Sequence, residues 1–281
     1  MIECKTKLVG HQSIAYFECG KGPLVIFLHG FPDTAETWSA FLPAFAAQEF
    51  RAVAPYLRGY PPSGPSESND YHMVSIASDV LALIEALGEQ QAIVVGHDWG
   101  ALAAYLAANL APQRVAKLIT LAIPHPRALA PSPKLLYRAR HFLAFQLPGA
   151  SARVRANHFA AVDALYRRWS PNWNPSANDL EPVKRCFAVA GAVEAALAYY
   201  RTYARDAWRP SVRRIVLQKC SVPTLAIFGK CDGALAASDF KRAGGCFTDR
   251  YEELAVPRAG HFVHREAPDL VCSAMLKFVS R

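Results

Sequence analysis

The sequence has no uninterrupted apolar run close to the roughly 18 residues that a membrane-spanning helix requires. Its first residues carry charge early and do not form the continuous apolar segment of a secretion signal. We therefore expect a cytoplasmic protein without a membrane span. The sequence leaves the oligomeric state open, and a homodimer is one possibility.

Cysteine patterns that would indicate a metal site or a disulfide framework are missing as well. None of the seven cysteines forms a CxxC pair or belongs to an evident Cys/His cluster, and an odd number cannot pair completely within one chain. Reduced thiols, no metal and no cofactor are expected. The net charge of +8 is spread along the chain without interleaved stacking aromatics, which argues against nucleic-acid binding.

The sequence also lacks any Gly-x-Ser-x-Gly segment, so serine esterase, lipase and peptidase chemistry has no nucleophile. A related segment is present as Gly96-His97-Asp98-Trp99-Gly100. A strand that turns sharply into a helix raises the central side chain above the sheet, and the flanking glycines are needed because a Cβ would clash there. Asp98 is therefore the predicted nucleophile. Its alternative role is to cap the helix that follows.

Short apolar runs alternate with helical patterns along much of the chain, and this order predicts an α/β domain with a mostly parallel sheet. The predicted strands cover residues 24–28, 52–54, 93–95, 118–122, 224–228 and 251–256, and the clearest predicted helices cover 73–87, 101–110 and 267–279. Between about 124 and 217 the alternation stops, and the composition becomes rich in aromatic residues and arginine. We predict a core of residues 1–123 and 218–281 with an inserted helical cap of residues 124–217.

Three further segments supply parts for catalysis by Asp98. The backbone N–H of Phe31, in a His-Gly-Phe-Pro segment after an early strand, could join that of Trp99 as an oxyanion hole. Asp232 follows a late strand, and His261 follows the last one, which gives the order nucleophile, acid, base. Asp232 also fits an ordinary Asp-Gly turn, and His264 is a competing candidate for the base.

An aspartate nucleophile narrows the chemistry. A carboxylate that attacks an ester carbonyl would form a reactive anhydride, whereas attack on an sp3 carbon forms an ordinary ester. Epoxides and alkyl halides meet this requirement. In a second step His261, oriented by Asp232, would activate water to hydrolyse the Asp98 ester.

The motifs together resemble the α/β-hydrolase-fold epoxide hydrolases, in the Asp-nucleophile branch that also includes haloalkane and haloacid dehalogenases. The similarity runs along nearly the whole chain and includes two further segments, Arg58-Gly59-Tyr60 and Ile123-Pro124-His125-Pro126. It implies an α/β-hydrolase fold with a mostly parallel sheet, flanking helices and an inserted cap. The implied activity opens a small apolar epoxide with water to give a vicinal diol.

In that family two cap tyrosines hold the epoxide oxygen and supply a proton as the ring opens. The segment containing Tyr200 is similar to the family's Asn-Trp-Tyr-Arg segment, which implies Tyr200 as one of the pair, with Tyr199 and Tyr203 as packing residues. The other position carries His141, several residues before a Phe-Gln-x-Pro-Gly segment. An imidazole can also donate a hydrogen bond, and Tyr137 is the alternative.

Two other functions are open. Dehalogenases share the nucleophile, base and acid, and the indole N–H of Trp99 could hold a halide. Phe31, however, occupies the place where related haloalkane dehalogenases often carry Asn, and haloacid dehalogenases typically have Arg after the nucleophile. A catalytically silent hydrolase-fold protein that only binds an apolar ligand is the other alternative.

Overall fold

A computed structural model describes residues 2–66 and 68–281, and within these ranges the strands form one eight-stranded sheet. The strands are β1 (Cys4–Val9), β2 (Gln12–Cys19), β3 (Leu24–Leu28), β4 (Arg51–Pro55), β5 (Ala92–His97), β6 (Val115–Leu121), β7 (Thr224–Gly229) and β8 (Tyr251–Val256). Their order across the sheet is β1-β2-β4-β3-β5-β6-β7-β8. The strands from β4 to β8 in this order pair in parallel, and β1 and β2 are antiparallel.

Helices lie between most of the parallel strands, after the last strand and in the long segment between β6 and β7. They are α1 (Phe41–Ala46), α2 (Met73–Ala86), α3 (Trp99–Leu110), α4 (Pro133–Arg138), α5 (Arg140–Gln146), α6 (Ala150–Trp169), α7 (Ala177–Ala188), α8 (Ala192–Asp206), α9 (Pro210–Leu217), α10 (Val263–Glu266) and α11 (Pro268–Val279). In the described part of the chain, no helix combines the length and apolar character needed to cross a membrane.

The hairpin of β1 and β2 was not among the strands that the sequence predicted. β1 lies at the edge of the sheet and is exposed except at Val9, and even Leu8 is exposed. A strand with so little burial has no clear period-two pattern of apolar residues. Pairing with β2 therefore defines β1 better than its own sequence does.

The centre of the sheet has the continuous apolar strands that a parallel sheet covered on both faces requires. β3, β5 and β7 are buried at every position. The register pairs Leu28 with Gly96 and His97 with Leu121, so neighbouring strands end at nearly the same level. The loops that follow them therefore meet at one edge of the sheet.

The helices α4 to α9 form the segment inserted at this edge. Polar contacts tie them to the core in several places: Thr202 on α8 donates to the backbone oxygen of Tyr71, and Asn109 on α3 donates to that of Ile215. Backbone N–H groups of two loops after β7 and β8 bond to the carbonyl of Trp169, the last residue of α6. The inserted segment therefore helps to position loops of the core.

Candidate active site

The predicted sharp turn from strand to helix, called the elbow below, is present at Asp98 between β5 and α3. Asp98 has φ 51° and ψ −120°, a backbone conformation that non-glycine residues rarely adopt. A Cβ on Gly96 would lie 2.3 Å from the carbonyl oxygen of Gly100, and one on Gly100 would lie 2.4 Å from that of Leu28. Only glycine fits these two positions, so the flanking residues permit the sharp turn.

The carboxylate of Asp98 is directed to the loop after β3 rather than to its own helix. Among the described residues it makes no side-chain hydrogen bond that would cap α3. Its Oδ1 instead accepts a hydrogen bond of 2.8 Å from the backbone N–H of Phe31. The other amide of the predicted oxyanion hole belongs to Trp99, the first residue of α3, where N–H groups lack intrahelical acceptors.

His261 lies between two carboxylates. Its Nε2 is 3.5 Å from Oδ2 of Asp98, and its Nδ1 is 2.9 Å from Oδ2 of Asp232. The second oxygen of Asp232 accepts from the backbone N–H groups of Ala234 and Leu235, which fixes the carboxylate. The competing His264 instead hydrogen-bonds Thr37 at 2.7 Å. The structure thus brings together the three residues predicted as nucleophile, base and acid.

Burial and charge together set the protonation of the Asp98–His261 pair. Burial favours the neutral form of Asp98, but His261 and the N–H of Phe31 outweigh it and lower the pKa of the carboxyl group. Burial likewise opposes the charged form of His261. The charges of Asp232 and Asp98 and their hydrogen bonds nevertheless raise its pKa to about 10. Both shifts favour a charged His261 ring beside an ionised Asp98 carboxylate.

Tyr200 on α8 lies in an aromatic enclosure above this pair. Its ring centroid is 4.7 Å from that of Trp99 and 5.3 Å from that of Phe31. The hydroxyl is buried and has no hydrogen-bond partner in the part of the chain that the structure describes. Burial and the nearby charge of Asp98 raise the pKa of Tyr200 well above its usual value, so the phenol keeps its proton.

The other two cap tyrosines differ from Tyr200. Tyr199 donates its hydroxyl to the backbone oxygen of Arg58 at 2.9 Å. The ring of Tyr203 packs against Trp99 at a centroid separation of 5.5 Å. Both contacts therefore join α8 to residues outside the inserted segment.

His141 on α5 is also buried, with its ring centroid 5.6 Å from that of Tyr200. Its Nδ1 lies 3.3 Å from the carbonyl oxygen of Arg138 and 3.2 Å from Nη2 of Arg168. Burial and the charge of Arg168 lower the pKa of His141 to about 4, so the imidazole is neutral near pH 7. The alternative residue, Tyr137, is 67% exposed and lies outside this enclosure.

A model of the alpha/beta hydrolase fold family matches residues 23–268 of this sequence. The chain belongs to that family. Its curated relatives include Epoxide hydrolase A of Mycobacterium tuberculosis (strain ATCC 25618 / H37Rv), which is 29% identical over 92% of this chain and 90% of its own length. Epoxide hydrolase 4 of Mus musculus is 28% identical over 95% of this chain and 75% of its own.

Solved structures show the same relationship. A putative epoxide hydrolase from Klebsiella pneumoniae subsp. pneumoniae MGH 78578 superimposes with a TM-score of 0.86 at 26% identity, covering 98% of this chain and 97% of the other. Epoxide Hydrolase A from Mycobacterium thermoresistibile gives a TM-score of 0.87 at 25% identity, with 100% and 98% covered. The predicted α/β-hydrolase fold, the hydrolase class and the resemblance to epoxide hydrolases are confirmed.

The sequence did not indicate how the acid and base loops are held in place. The carbonyl oxygen of Trp169 accepts from the N–H of Gly233 at 2.9 Å and from that of His261 at 3.1 Å. Glu266 accepts from the N–H of Gly260 at 2.8 Å, and Ser170 donates to the same carboxylate. No motif marks the contacts of Trp169 and Ser170, because their partners lie more than 60 residues away along the chain. The only sequence feature that could have indicated them is the presence of Gly233 and Gly260, whose lack of a Cβ permits this close approach.

A second supporting contact is made by the residue directly before Asp98. His97 is completely buried, and its Nε2 is 3.0 Å from the backbone oxygen of His261. Burial lowers the pKa of His97 to about 3, so its ring is neutral, and because a carbonyl oxygen can only accept, Nε2 is the nitrogen that carries the proton. This buried contact joins the residue before Asp98 to the loop that carries His261.

Metal ligation has little support in this geometry. Across residues 2–66 and 68–281, no group of three or more His, Cys, Asp or Glu side chains is arranged to hold a metal ion.

Proposed function

We propose that this protein is an epoxide hydrolase, acting on the ether bond of an epoxide to give a vicinal diol. The observation that carries the proposal is the position of Tyr200. Its unpartnered hydroxyl lies in a buried enclosure with Phe31, whose N–H bonds the Asp98 carboxylate, and Trp99, the residue that follows Asp98. A nucleophile for carbon and an acid for the departing oxygen therefore share one closed site.

In the first step a carboxylate oxygen of Asp98 attacks a ring carbon, and the bond from that carbon to the epoxide oxygen breaks. The oxygen takes the phenolic proton of Tyr200 and receives a hydrogen bond from His141. The products are an alkyl ester of Asp98 and a Tyr200 phenolate. An alkoxide is a poor leaving group without such assistance, which explains why an acid is required here.

In the second step His261 takes a proton from water, and the resulting hydroxide attacks the carbonyl carbon of the ester. The N–H groups of Phe31 and Trp99 stabilise the tetrahedral oxyanion. Collapse breaks the bond between that carbon and the diol oxygen, which is protonated by His261. The remaining proton of the water restores the Tyr200 hydroxyl, so one water is consumed for each epoxide.

The effect of the Asp98 charge on the pKa of His261 explains why the ester must form before His261 acts as a base. In the resting site the charge of Asp98 contributes to the raised pKa of His261. Esterification removes that charge, so the pKa of His261 must fall, the imidazolium releases its proton to solvent, and the neutral imidazole can act as a base. His261 takes up a proton again once the Asp98 carboxylate is regenerated. The first step therefore prepares the catalyst for the second. The charge of Asp232 remains and orients the ring through the Nδ1 hydrogen bond of 2.9 Å.

The division of the chain follows from the same arrangement. We assign residues 1–123 and 218–281 to the catalytic core and residues 124–217 to the cap. The core supplies Asp98, His261 and Asp232, and the cap supplies Tyr200 and His141. The rings of Phe142 and Phe145 also pack on Tyr200, at centroid distances of 4.8 and 4.9 Å. Such surroundings suit a small apolar epoxide.

A dehalogenase is the second candidate because the indole nitrogen of Trp99 is buried and unpartnered among the described residues. An N–H in that position could hold a departing halide. The apolar ring of Phe31 provides no second donor to a halide, whereas the buried hydroxyl of Tyr200 and the neighbouring ring of His141, 5.6 Å away between centroids, are two candidate donors for an oxygen. The geometry therefore favours the epoxide. A silent binding protein would have no use for the pairing of Asp98 with His261.

Turnover in labelled water distinguishes these functions. We expect wild-type protein to convert styrene oxide to its diol, and in single-turnover H2¹⁸O reactions the label should enter Asp98, as found by peptide mass spectrometry. Asp98→Asn should abolish both results, whereas the exposed Asp249→Asn should change neither. Bromide release from a short bromoalkane without diol formation would favour the dehalogenase. Binding of the epoxide without either product would identify a silent protein.

A further inference from the structure

Arg168, near the end of α6, faces the imidazole that is proposed to hold the epoxide oxygen. Its Nη2 lies 3.2 Å from Nδ1 of His141. Nδ1 of His141 also lies 3.3 Å from the carbonyl oxygen of Arg138, which is three residues before His141. The Arg168 guanidinium, which can only donate, and the Arg138 carbonyl, which can only accept, therefore compete for Nδ1 of His141.

The competition determines which tautomer of His141 is present. A guanidinium has only donors, so Arg168 can bond Nδ1 only when that nitrogen carries a lone pair. A carbonyl has only lone pairs, so Arg138 can bond Nδ1 only when that nitrogen carries the proton. The contact with Arg168 is the shorter one, and it involves a charged donor, which makes such hydrogen bonds stronger than neutral ones. Protonation of both ring nitrogens would place two cations side by side.

We propose that Arg168 is a positioning residue that holds His141 as the neutral tautomer with its proton on Nε2. This inference rests on the proposed function only for its catalytic consequence. In the selected tautomer Nε2–H can donate to the oxygen that leaves carbon, while Tyr200 supplies the proton. In the other tautomer Nε2 would present a lone pair to a developing negative charge, and the interaction would be repulsive.

Contacts around Arg168 hold it in place for this role. Its guanidinium carbon lies 5.7 Å from the ring centroid of Trp169, and that ring packs edge-on against the ring of His141 at 4.9 Å. The backbone of Trp169 is bonded to the N–H groups of Gly233 and His261. Arg168 is therefore attached to the segment that also holds the acid and base loops. The low pKa of His141 agrees with a neutral ring beside a cation.

The tautomer can be measured without any turnover. In ¹⁵N-labelled protein, two-bond ¹H–¹⁵N spectra distinguish a protonated from an unprotonated nitrogen in the His141 ring, assigned with His141→Phe. We expect protonated Nε2 in the wild type and in Arg168→Lys, which keeps a donor. In Arg168→Met we expect the proton to move to Nδ1, where it can bond the Arg138 carbonyl. An unchanged His141 spectrum in the folded Arg168→Met variant would overturn the proposal.

A kinetic cycle tests the consequence. We expect Arg168→Met to slow single-turnover ring opening by about tenfold, less than the roughly hundredfold loss typical of removing an oxyanion donor. Arg168→Lys should recover most of this rate, and the exposed Arg167→Met should have no effect. In a His141→Phe background, Arg168→Met should cause no further loss, whereas additive losses would contradict action through His141. If no variant and no wild type opened any epoxide, the proposed function would fail, but the tautomer measurement would still decide the role of Arg168.

Discussion

His261 Nε2 lies 3.5 Å from Oδ2 of Asp98, while the opposite nitrogen of the same ring is held at 2.9 Å by Asp232. The imidazole is thus fixed on its acid side and less tightly held on its nucleophile side. This asymmetry suits a base that must exchange one partner, a carboxylate, for another, a water molecule. In the proposed mechanism it also separates the two chemical steps, because Asp98 can react while His261 stays in place.

Removal of the base should trap the ester. In His261→Gln we expect ring opening to proceed once, after which the Asp98 ester persists because no group activates water. Steady-state turnover should fall by about a thousandfold or more. Intact mass spectrometry after incubation with styrene oxide should show one adduct per chain, located on Asp98. The exposed His11→Gln is the matched control and should retain turnover without accumulating an adduct.

The charge of His261 should also affect stability. Its pKa is near 10 in the folded protein, above the value of about 6.5 for an unfolded chain, so its ion pairs stabilise the protein fully below about pH 6.5. This contribution must disappear as the pH rises towards 10. We expect the free energy of unfolding to fall more between pH 7 and pH 10 in the wild type than in His261→Gln, measured by urea denaturation. Equal slopes in the two proteins would contradict the ion pairing.

Tyr200 should be important for rate and unimportant for stability. We expect Tyr200→Phe to slow ring opening by roughly a hundredfold to a thousandfold, because the departing oxygen loses its proton donor. The unfolding free energy should change by less than about 0.5 kcal/mol, since the hydroxyl bonds no described residue. Tyr199→Phe should show the reverse pattern, with a loss of about 1 kcal/mol from its bond to Arg58 and little change in ring opening. Stopped-flow single turnovers and denaturant curves measure both quantities.

The close approach of cap and acid loop should make Gly233 sensitive to any side chain. A Cβ there would lie 1.9 Å from the backbone oxygen of Arg168, which must move to admit it. We expect Gly233→Ala to cost about 1–3 kcal/mol and to reduce turnover by displacing the Trp169 carbonyl from His261. Gly245→Ala is the matched control, because its Cβ would meet nothing within 4 Å. Identical melting temperatures for the two variants would show that the contact is not restrictive.

The fold could be predicted wherever the residues of a segment by themselves favour its structure. Buried parallel strands such as β3 and β5 consist of continuous apolar residues, and the glycines around Asp98 exclude most structures other than a tight turn. β1 was missed because a strand exposed along most of its length depends on its partner for definition. The cap was predicted as helical, but the backbone inside α6 at residues 156–159 is not helical, and its sequence gave no sign of this interruption.

By itself the sequence determined which residues follow the strand ends, namely Asp98, Asp232 and His261 in that order, and this order predicted the nucleophile, the acid and the base. The tertiary structure decided which of two candidates for the second donor, His141 or Tyr137, lies buried beside Tyr200, and which histidine, His261 or His264, lies beside Asp98. It also decided that Arg168 meets His141. These choices depend on how α5, α6 and α8 pack over the sheet, and packing between segments far apart in the chain leaves no pattern in either segment alone.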